Sequence, residues 1–169
     1  MPVIFKPINP DKLRTEAFRE AFKAAAKPYA DGVSRDFQKT YAGWSRKSQP
    51  TLTVDIDVNP DGGVSILVEP EGKIYEFVHD GTRPHTIAPK RGKVLAIRLG
   101  YTPKTVPGQI NSGAGGSAGP VIFRRGPVRH PGFKGRNFSK IILSKWKTPF
   151  YTAMQRALEQ GAKNSGHEI

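Results

Sequence analysis

A long stretch of this chain contains basic residues and no acidic ones, which constrains what its surface can contact. From Gly81 to Leu158 there is no aspartate or glutamate. Residues 83–169 hold 16 lysines and arginines and two glutamates, whereas residues 1–82 hold 11 basic and 12 acidic residues. The cations of the second half therefore cannot pair with carboxylates of their own stretch. We expect them to face water, phosphate or the acidic groups of another chain.

The composition narrows the class of protein. A length of 169 residues predicts one domain, and 18 glycines with 15 prolines indicate many turns and loops. No apolar run approaches the roughly 18 residues that a membrane span requires, and the first ten residues lack the apolar core of a secretory signal. The absence of cysteine excludes disulfides, thiolate zinc sites and a cysteine nucleophile, and it fits a reducing cytosol.

The N-terminal part of the sequence has helical periodicity. Asn9 and Pro10 are typical of a helix N-cap and of the first helical position. Apolar residues follow at helical spacing and predict an amphipathic helical arm over residues 9–44. Pro28 is expected to break or kink this helix, because its ring removes a backbone hydrogen bond and clashes with the preceding turn.

The C-terminal part also predicts a helix. Thr148 and Pro149 repeat the N-cap and first-turn signal, and an apolar stripe follows them. We expect a C-terminal helix over residues 139–162, packed on the sheet. The pattern leaves open whether residues 139–147 join it, and residues 163–169 are expected to form a frayed tail.

The middle of the chain alternates between apolar and polar residues, as β-strands do. Residues 51–58 read as a half-buried strand, the turn sequence at 59–63 follows, and residues 64–68 alternate again, which predicts a hairpin. Further strands are expected within 86–99, split by a turn, and at 121–125.

A Gly/Ser-rich segment interrupts these strands at residues 107–119. It is too poor in apolar groups to pack, so we expect a mobile loop. Ser117 matches the G-x-S-x-G pattern of a hydrolase nucleophile, but neither an apolar strand before it nor a helix after it is predicted, and we reject that interpretation.

Together these patterns predict an α+β fold in a single domain over residues 1–169. It contains an N-terminal amphipathic helix, a small and mostly antiparallel sheet over 51–138 with the long Gly/Ser-rich loop, and a C-terminal helix packed on the sheet.

Neither a catalytic nor a metal site is predicted. Asp55 and Asp57 are paired carboxylates on the polar face of a strand, where a solvated surface is the expected environment. His79, His85 and His130 could converge on one zinc ion, but no ligand pair at helical spacing supports this. We expect no cofactor.

Two segments have the composition of rigid corners. In HDGTRPH, Gly81 can adopt a positive φ angle, Thr82 can cap the turn and Pro84 stiffens the exit. HPGFKG, at residues 130–135, is a second corner. Such corners on a small sheet suit the packing of subunits in a ring. The corner residues expected at a subunit interface are Gly81, Thr82, Arg83, Pro84, His85, His130, Pro131 and Gly132.

The corners belong to a longer ordered pattern over about residues 60–138. Two aromatic residues precede Gly-Thr and Arg-Pro-His, an Ile-x-Pro-Lys hairpin follows, and an aromatic strand leads to His-Pro-Gly and to an aromatic that opens the last helix. These positions are Tyr75, Phe77, Gly81, Thr82, Arg83, Pro84, His85, Ile87, Pro89, Lys90, Leu95, Phe123, His130, Pro131, Gly132 and Phe138. In this order and spacing the chain resembles the small tail-component or neck proteins of long-tailed bacteriophages, which act in tail completion and head-to-tail joining.

The resemblance implies a structural virion protein rather than an enzyme. It implies a homo-oligomeric ring, with a hexamer as the expectation, at the neck or tail around the DNA channel, assembled in the host cytoplasm. The implied partners are further copies, other neck, connector or tail-terminator proteins and, transiently, packaged double-stranded DNA; a membrane and a small-molecule substrate are not expected. The basic residues expected to face a partner or DNA are Lys90, Arg91, Arg124, Arg125, Arg129, Lys134 and Arg136.

The alternative is a basic nucleic-acid-binding module that acts on DNA directly. Its cations would contact phosphates and its aromatic residues would stack on bases. No helix-turn-helix, zinc-finger or RNP motif is present, and most aromatics stand at positions expected to be core. The assembly role is therefore the favoured hypothesis.

Overall fold

The computed structural model describes residues 16–59, 63–90, 92–110, 113, 115–117 and 119–164. The chain divides into two compact units. Among the described residues, the first unit contains those up to Gln38, Thr51–Pro70 and those from Ser139 onward, and the second contains Lys39–Pro50 and Glu71–Phe138.

Three α-helices and ten short strands occur in the described ranges, and a 3₁₀ helix at Arg46–Ser48 follows the first α-helix. None of the helices within these ranges is long and apolar enough to cross a membrane. In chain order the elements are α1 (Glu16–Tyr41), β1 (Thr51–Val58), β2 (Val64–Glu71), α2 (Lys73–Asp80), β3 (Gly81–Thr82), β4 (His85–Ile87), β5 (Val94–Arg98), β6 (Tyr101–Thr102), β7 (Gly116–Ser117), β8 (Val121–Arg125), β9 (Val128–His130), β10 (Phe133–Lys134) and α3 (Phe138–Asn164).

The first unit has its core between two helices and a hairpin. Strand β2 buries alternate side chains completely, while β1 alternates exposed and half-buried positions as its sequence pattern predicts. Helices α1 and α3 each contribute large apolar side chains that exclude water. The predicted α+β fold is confirmed, with the helices packed on a small antiparallel sheet. The largest buried side chains here are Phe18, Val33, Phe37, Val64, Ile66, Val68, Ile142, Phe150 and Met154.

A buried carboxylate joins the two long helices. Asp36 on α1 is only 2% exposed. It accepts a hydrogen bond of 2.7 Å from the indole Nε1 of Trp146 and one of 2.5 Å from Lys145 Nζ, both on α3. Gly32, one turn before Asp36, makes room for the indole, because a Cβ there would stand 2.6 Å from Trp146 Cζ2. The small residue and the acceptor together fix the position of the tryptophan.

Two prolines lie inside the long helices, against expectation. Of the two effects expected at Pro28, a break does not occur, since α1 continues through it. The cap signal at Thr148 and Pro149 does not mark a helix start, since α3 passes through both residues. The cause is tertiary packing beside both prolines. Tyr29 contacts Trp146 and Phe150 edge-on, with ring centres 6.0 and 5.8 Å apart. Such packing offsets the roughly 3 kcal/mol that an interior proline costs.

The remaining boundaries partly match the sequence patterns. Helix α3 begins at Phe138, so the undecided segment 139–147 is helical, and the helix extends to Asn164. The hairpin β1–β2 and the strand at 121–125 are confirmed. Residues 163 and 164 of the predicted frayed tail are therefore helical, and the rest of the tail, like the helix start predicted at Asn9, lies outside the described residues.

A short helix, α2, occupies Lys73–Asp80 inside the segment predicted as sheet. The sequence analysis missed it, although Ile74 and Val78 stand four residues apart, a helical spacing. The helix buries Tyr75, whose ring lies 5.9 Å from that of Phe138. It leads directly into the first predicted corner.

The strands of the second unit form nested antiparallel pairs. Strand β3 pairs with β10, β4 with β9, β5 with β8 and β6 with β7. The chain thus runs out along β3 to β6 and returns antiparallel along β7 to β10. We call this pair of arms the β-ribbon.

The predicted mobile loop at 107–119 lies at the turn of the β-ribbon. It contains the short strand β7, and the Gly113 N–H donates a 2.6 Å hydrogen bond to the Lys104 carbonyl. Residues 111, 112, 114 and 118 are outside the described part of the chain. The mobility of this segment stays a prediction that hydrogen exchange can measure.

Replacement of Asp36 by alanine is expected to lower the free energy of unfolding by about 2–4 kcal/mol. The change leaves the indole N–H of Trp146 without its acceptor and Lys145 without its counter-ion. Urea unfolding followed by tryptophan fluorescence measures the loss. Asp31→Ala, at an exposed position on the same helix, is the control and should change the free energy by less than about 0.5 kcal/mol. Equal losses in the two variants would contradict the role of Asp36.

Candidate functional site

The two corner motifs lie side by side in the second unit. Strand β3 pairs with β10, which puts Thr82 opposite Phe133. Strand β4 pairs with β9, which puts His85 opposite His130. Two segments more than 40 residues apart in sequence therefore form one double corner at the base of the β-ribbon.

Glycines permit the close approach of the two corners. Gly81 has φ +85°, and a Cβ on it would lie 2.5 Å from the Phe133 carbonyl oxygen. Gly132 has φ +77°, and a Cβ on it would clash with the Thr82 carbonyl oxygen. The positive φ predicted for Gly81 is confirmed. Both positions exclude other residues by conformation as well as by space.

The two histidines of the double corner stabilise its turns. His85 Nδ1 lies 2.8 Å from the Arg83 carbonyl oxygen and so acts as the donor. His130 Nδ1 accepts a 3.0 Å hydrogen bond from the Gly132 N–H. The centres of the two imidazole rings lie 4.9 Å apart. The expected cap by Thr82 is not formed, since its buried hydroxyl makes no hydrogen bond to a described residue.

His79 belongs to a different environment. Its Nδ1 lies 2.7 Å from the Asp80 carboxylate, and its ring stacks on Tyr75 at 5.7 Å. Across the described ranges, no three His, Cys, Asp or Glu side chains lie close enough together to hold a metal ion.

The basic residues predicted to face a partner have different surroundings. Arg136 is half-buried: its Nε donates to Thr105 Oγ1 at 3.4 Å, and its guanidinium lies 5.9 Å from the centre of the Phe133 ring. Arg91 lies outside the described residues. The others are exposed, namely Lys90, Arg124, Arg125, Arg129 and Lys134.

One face of the paired strands β5 and β8 carries only exposed side chains. Register places Val94 opposite Arg125, Ala96 opposite Phe123 and Arg98 opposite Val121, and all six residues are exposed. We call these six residues the ribbon face. It combines two cations with a large aromatic and two branched aliphatic side chains.

The opposite face of β5 and β8 is more enclosed. Leu95, Ile97 and Ile122 are half-buried there, and Arg124 stands on this side, opposite Leu95. Arg124 and Arg125 therefore point to different faces, although the sequence analysis grouped them. Arg98 was missed, and the alternation of residues 94–98 was the signal that could have placed it on the same strand face as Val94 and Ala96.

Exposed apolar side chains concentrate in the second unit. Phe123 is 70% exposed, Tyr101 67% and Phe77 56%. Among the described residues, every large apolar side chain that is exposed belongs to this unit. Groups of exposed apolar side chains mark interaction surfaces. The set is Ile74, Phe77, Ile87, Val94, Leu99, Tyr101, Val106, Val121, Phe123 and Phe133.

Near its turn, the β-ribbon contacts the segment that follows α1. Lys104 Nζ donates a 2.6 Å hydrogen bond to the carbonyl of Gly43, just after α1. An open pocket of about 270 Å³ lies beside this contact, between Trp44, α2 and Tyr101. The nearby Tyr41 is buried, and this burial raises the pKa of its phenol. The pocket holds no cluster of ionisable groups that would indicate a reaction.

Comparisons of the chain with protein-family models, with curated proteins and with solved structures find no match. Its function therefore has to be inferred from its own sequence and geometry.

Replacement of Gly81 by valine is expected to destabilise the protein by about 2 kcal/mol or more, because a β-branched residue does not tolerate φ +85°. Thermal unfolding and soluble yield measure the effect. Gly92→Val is the matched control: a Cβ at Gly92 meets nothing within 4 Å, so its thermal midpoint should stay close to wild type. An unchanged midpoint in Gly81→Val would show that the corner does not depend on this glycine.

Proposed function

We propose that the protein is a structural component of the neck or tail of a long-tailed bacteriophage. Copies of the chain would associate into a ring, which completes the tail or joins it to the head around the DNA channel. The proposal starts from the ordered motif of residues 75–138 that resembles such proteins. Its Arg-Pro-His and His-Pro-Gly segments are the two halves of the double corner, so the motif corresponds to one local structure.

The observation that carries the proposal is the composition of the exposed surface of the second unit. Among the described residues, the large apolar side chains of the first unit are buried or half-buried, whereas the β-ribbon and α2 carry exposed ones. Phe123 and Val121 stand exposed between arginines on the ribbon face. A surface that mixes large apolar groups with arginine is typical of protein interfaces.

The charge distribution supports a role in assembly. Arg124, Arg125 and Arg129 are exposed and form no ion pair with a described carboxylate. A neighbouring protein with acidic groups would satisfy them. Packaged DNA would satisfy a few of them transiently, since a channel through which the genome slides cannot hold it tightly.

Deletion of the coding sequence from the phage genome that carries it tests the proposal. We expect filled heads and separate tails instead of joined particles, visible by negative-stain electron microscopy, and restoration of infectivity by the gene supplied in trans. Mass spectrometry of purified wild-type particles should find the protein in several copies per particle. Joined and infectious particles that lack the protein would overturn the proposal.

A direct DNA-binding role is the second candidate, because a two-stranded β-ribbon fits the major groove of DNA and this one carries exposed arginines. Titration of the purified protein with a random duplex at several salt concentrations tests it. The assembly role predicts weak binding, independent of sequence, that falls steeply with salt. Tight binding that persists at about 0.2 M salt would favour the DNA-binding role.

A further inference from the structure

The hairpin of the first unit carries a charge opposite to that of the β-ribbon. Between Ser48 and Gly72 there is no lysine or arginine, whereas this stretch holds five aspartates and glutamates. Asp55 and Asp57 stand on the exposed face of β1, and Glu69 is exposed on β2. We call these three residues the acidic hairpin. Of all parts of the sequence, it is the one whose charge complements the acid-free stretch from Gly81 to Leu158.

The charges of the acidic hairpin are not neutralised by the described residues of the same chain. The ion pairs found among these residues join Glu20 to Lys23, Asp36 to Lys145 and Asp80 to His79. None of them includes a carboxylate of the acidic hairpin or Arg125 of the ribbon face. The acidic hairpin and Arg125 therefore present charges that a partner can satisfy.

Both surfaces are exposed strand faces. Asp55 and Asp57 are two residues apart on one of them, which places their Cα atoms about 7 Å apart. On β8, Phe123 and Arg125 have the same spacing, so a strand that carries the carboxylates can lie along β8 with one carboxylate near Arg125. Arg98 stands opposite Val121 at the other end of the ribbon face, four residue positions from Arg125. Carboxylates brought onto this face would meet arginines beside apolar groups that exclude water, where an ion pair contributes more than on an open surface.

We propose that the acidic hairpin of one copy docks on the ribbon face of a second copy. The inference rests on the self-association in the proposed function and assigns the surfaces that carry it. Because two different patches meet, the contact is heterologous, and repetition of it generates a closed ring or an open filament.

A second copy fits the observations better than DNA does. A contact between two copies pairs the acidic hairpin of one with the ribbon face of the other, and it leaves each copy with one unused patch for a further copy. DNA would satisfy the arginines alone and would repel the carboxylates of the acidic hairpin. The exposed Phe123 and Val121 also have no role in phosphate contacts.

Charge reversal on each surface tests the contact. The first variant is Asp55→Lys with Asp57→Lys, and the second is Arg98→Glu with Arg125→Glu. Each alone should weaken self-association at least about tenfold, because like charges then face each other. A one-to-one mixture of the two should associate again, since each altered surface then meets a complementary one. Sedimentation velocity over a concentration series measures all three samples, and circular dichroism confirms that each variant is folded.

Matched controls separate the effect of the contact on self-association from the effect of net charge. Lys147→Glu makes the same change of charge at an exposed position of α3 and should associate nearly as wild type does, whereas Arg125→Glu alone should associate more weakly. On the acidic side, Asp31→Lys with Glu159→Lys makes the same charge change at exposed helix positions. It should leave self-association unchanged.

The outcomes distinguish the two proposals. Wild-type association that both reversed variants retain would overturn the hairpin contact and leave the proposed function standing. Hairpin-dependent association of a protein that is absent from purified particles would overturn the proposed function alone. A wild-type protein that stays monomeric at about 100 µM would overturn the contact, as would a mixture that fails to restore association. If Arg98→Glu with Arg125→Glu abolishes duplex binding while self-association is unchanged, DNA is the partner of the ribbon face.

Discussion

The packing of Trp146 against Gly32, with its indole N–H bonded to the buried carboxylate of Asp36, sets how close α1 and α3 lie in the first unit. A larger residue at Gly32 would displace the ring, and loss of the carboxylate would leave a buried donor unpaired. Once the two helices are held at this distance, aromatic contacts of Tyr29 form beside both interior prolines. The two helices can therefore run unbroken, and the hairpin has a continuous apolar surface to cover.

The second unit follows a different physical rule. Its β-ribbon contains no acidic residue and so cannot form ion pairs within itself, and two strands have too few layers to bury both faces. Apolar and cationic side chains therefore lie together at the surface. Among the large apolar side chains described, Phe123 is the most exposed. In an isolated enzyme domain such a surface would be an aggregation risk; in a subunit of an assembly it is the contact area.

The double corner gives a structural reason for the Gly-Thr-Arg-Pro-His and His-Pro-Gly segments of the motif. Gly81 and Gly132 adopt positive φ angles where two chain segments nearly touch, and His85 and His130 bond to the backbone of their own turns. The sequence analysis placed these residues at an interface between subunits. In the structure they also contact each other within one chain, so an effect of their replacement on assembly can arise through folding.

The sequence by itself determined the local features of this protein. The alternation at 51–58 and 121–125 predicted strands, since a period of two depends only on neighbouring residues, and Gly81 was assigned its backbone conformation from the same kind of local rule. Only the tertiary structure decided that both interior prolines are tolerated, that the two corners pair, and that Arg136 is half-buried beside Thr105 and Phe133. These outcomes depend on contacts between residues far apart in the chain, and a local pattern carries no information about which distant segment will supply them.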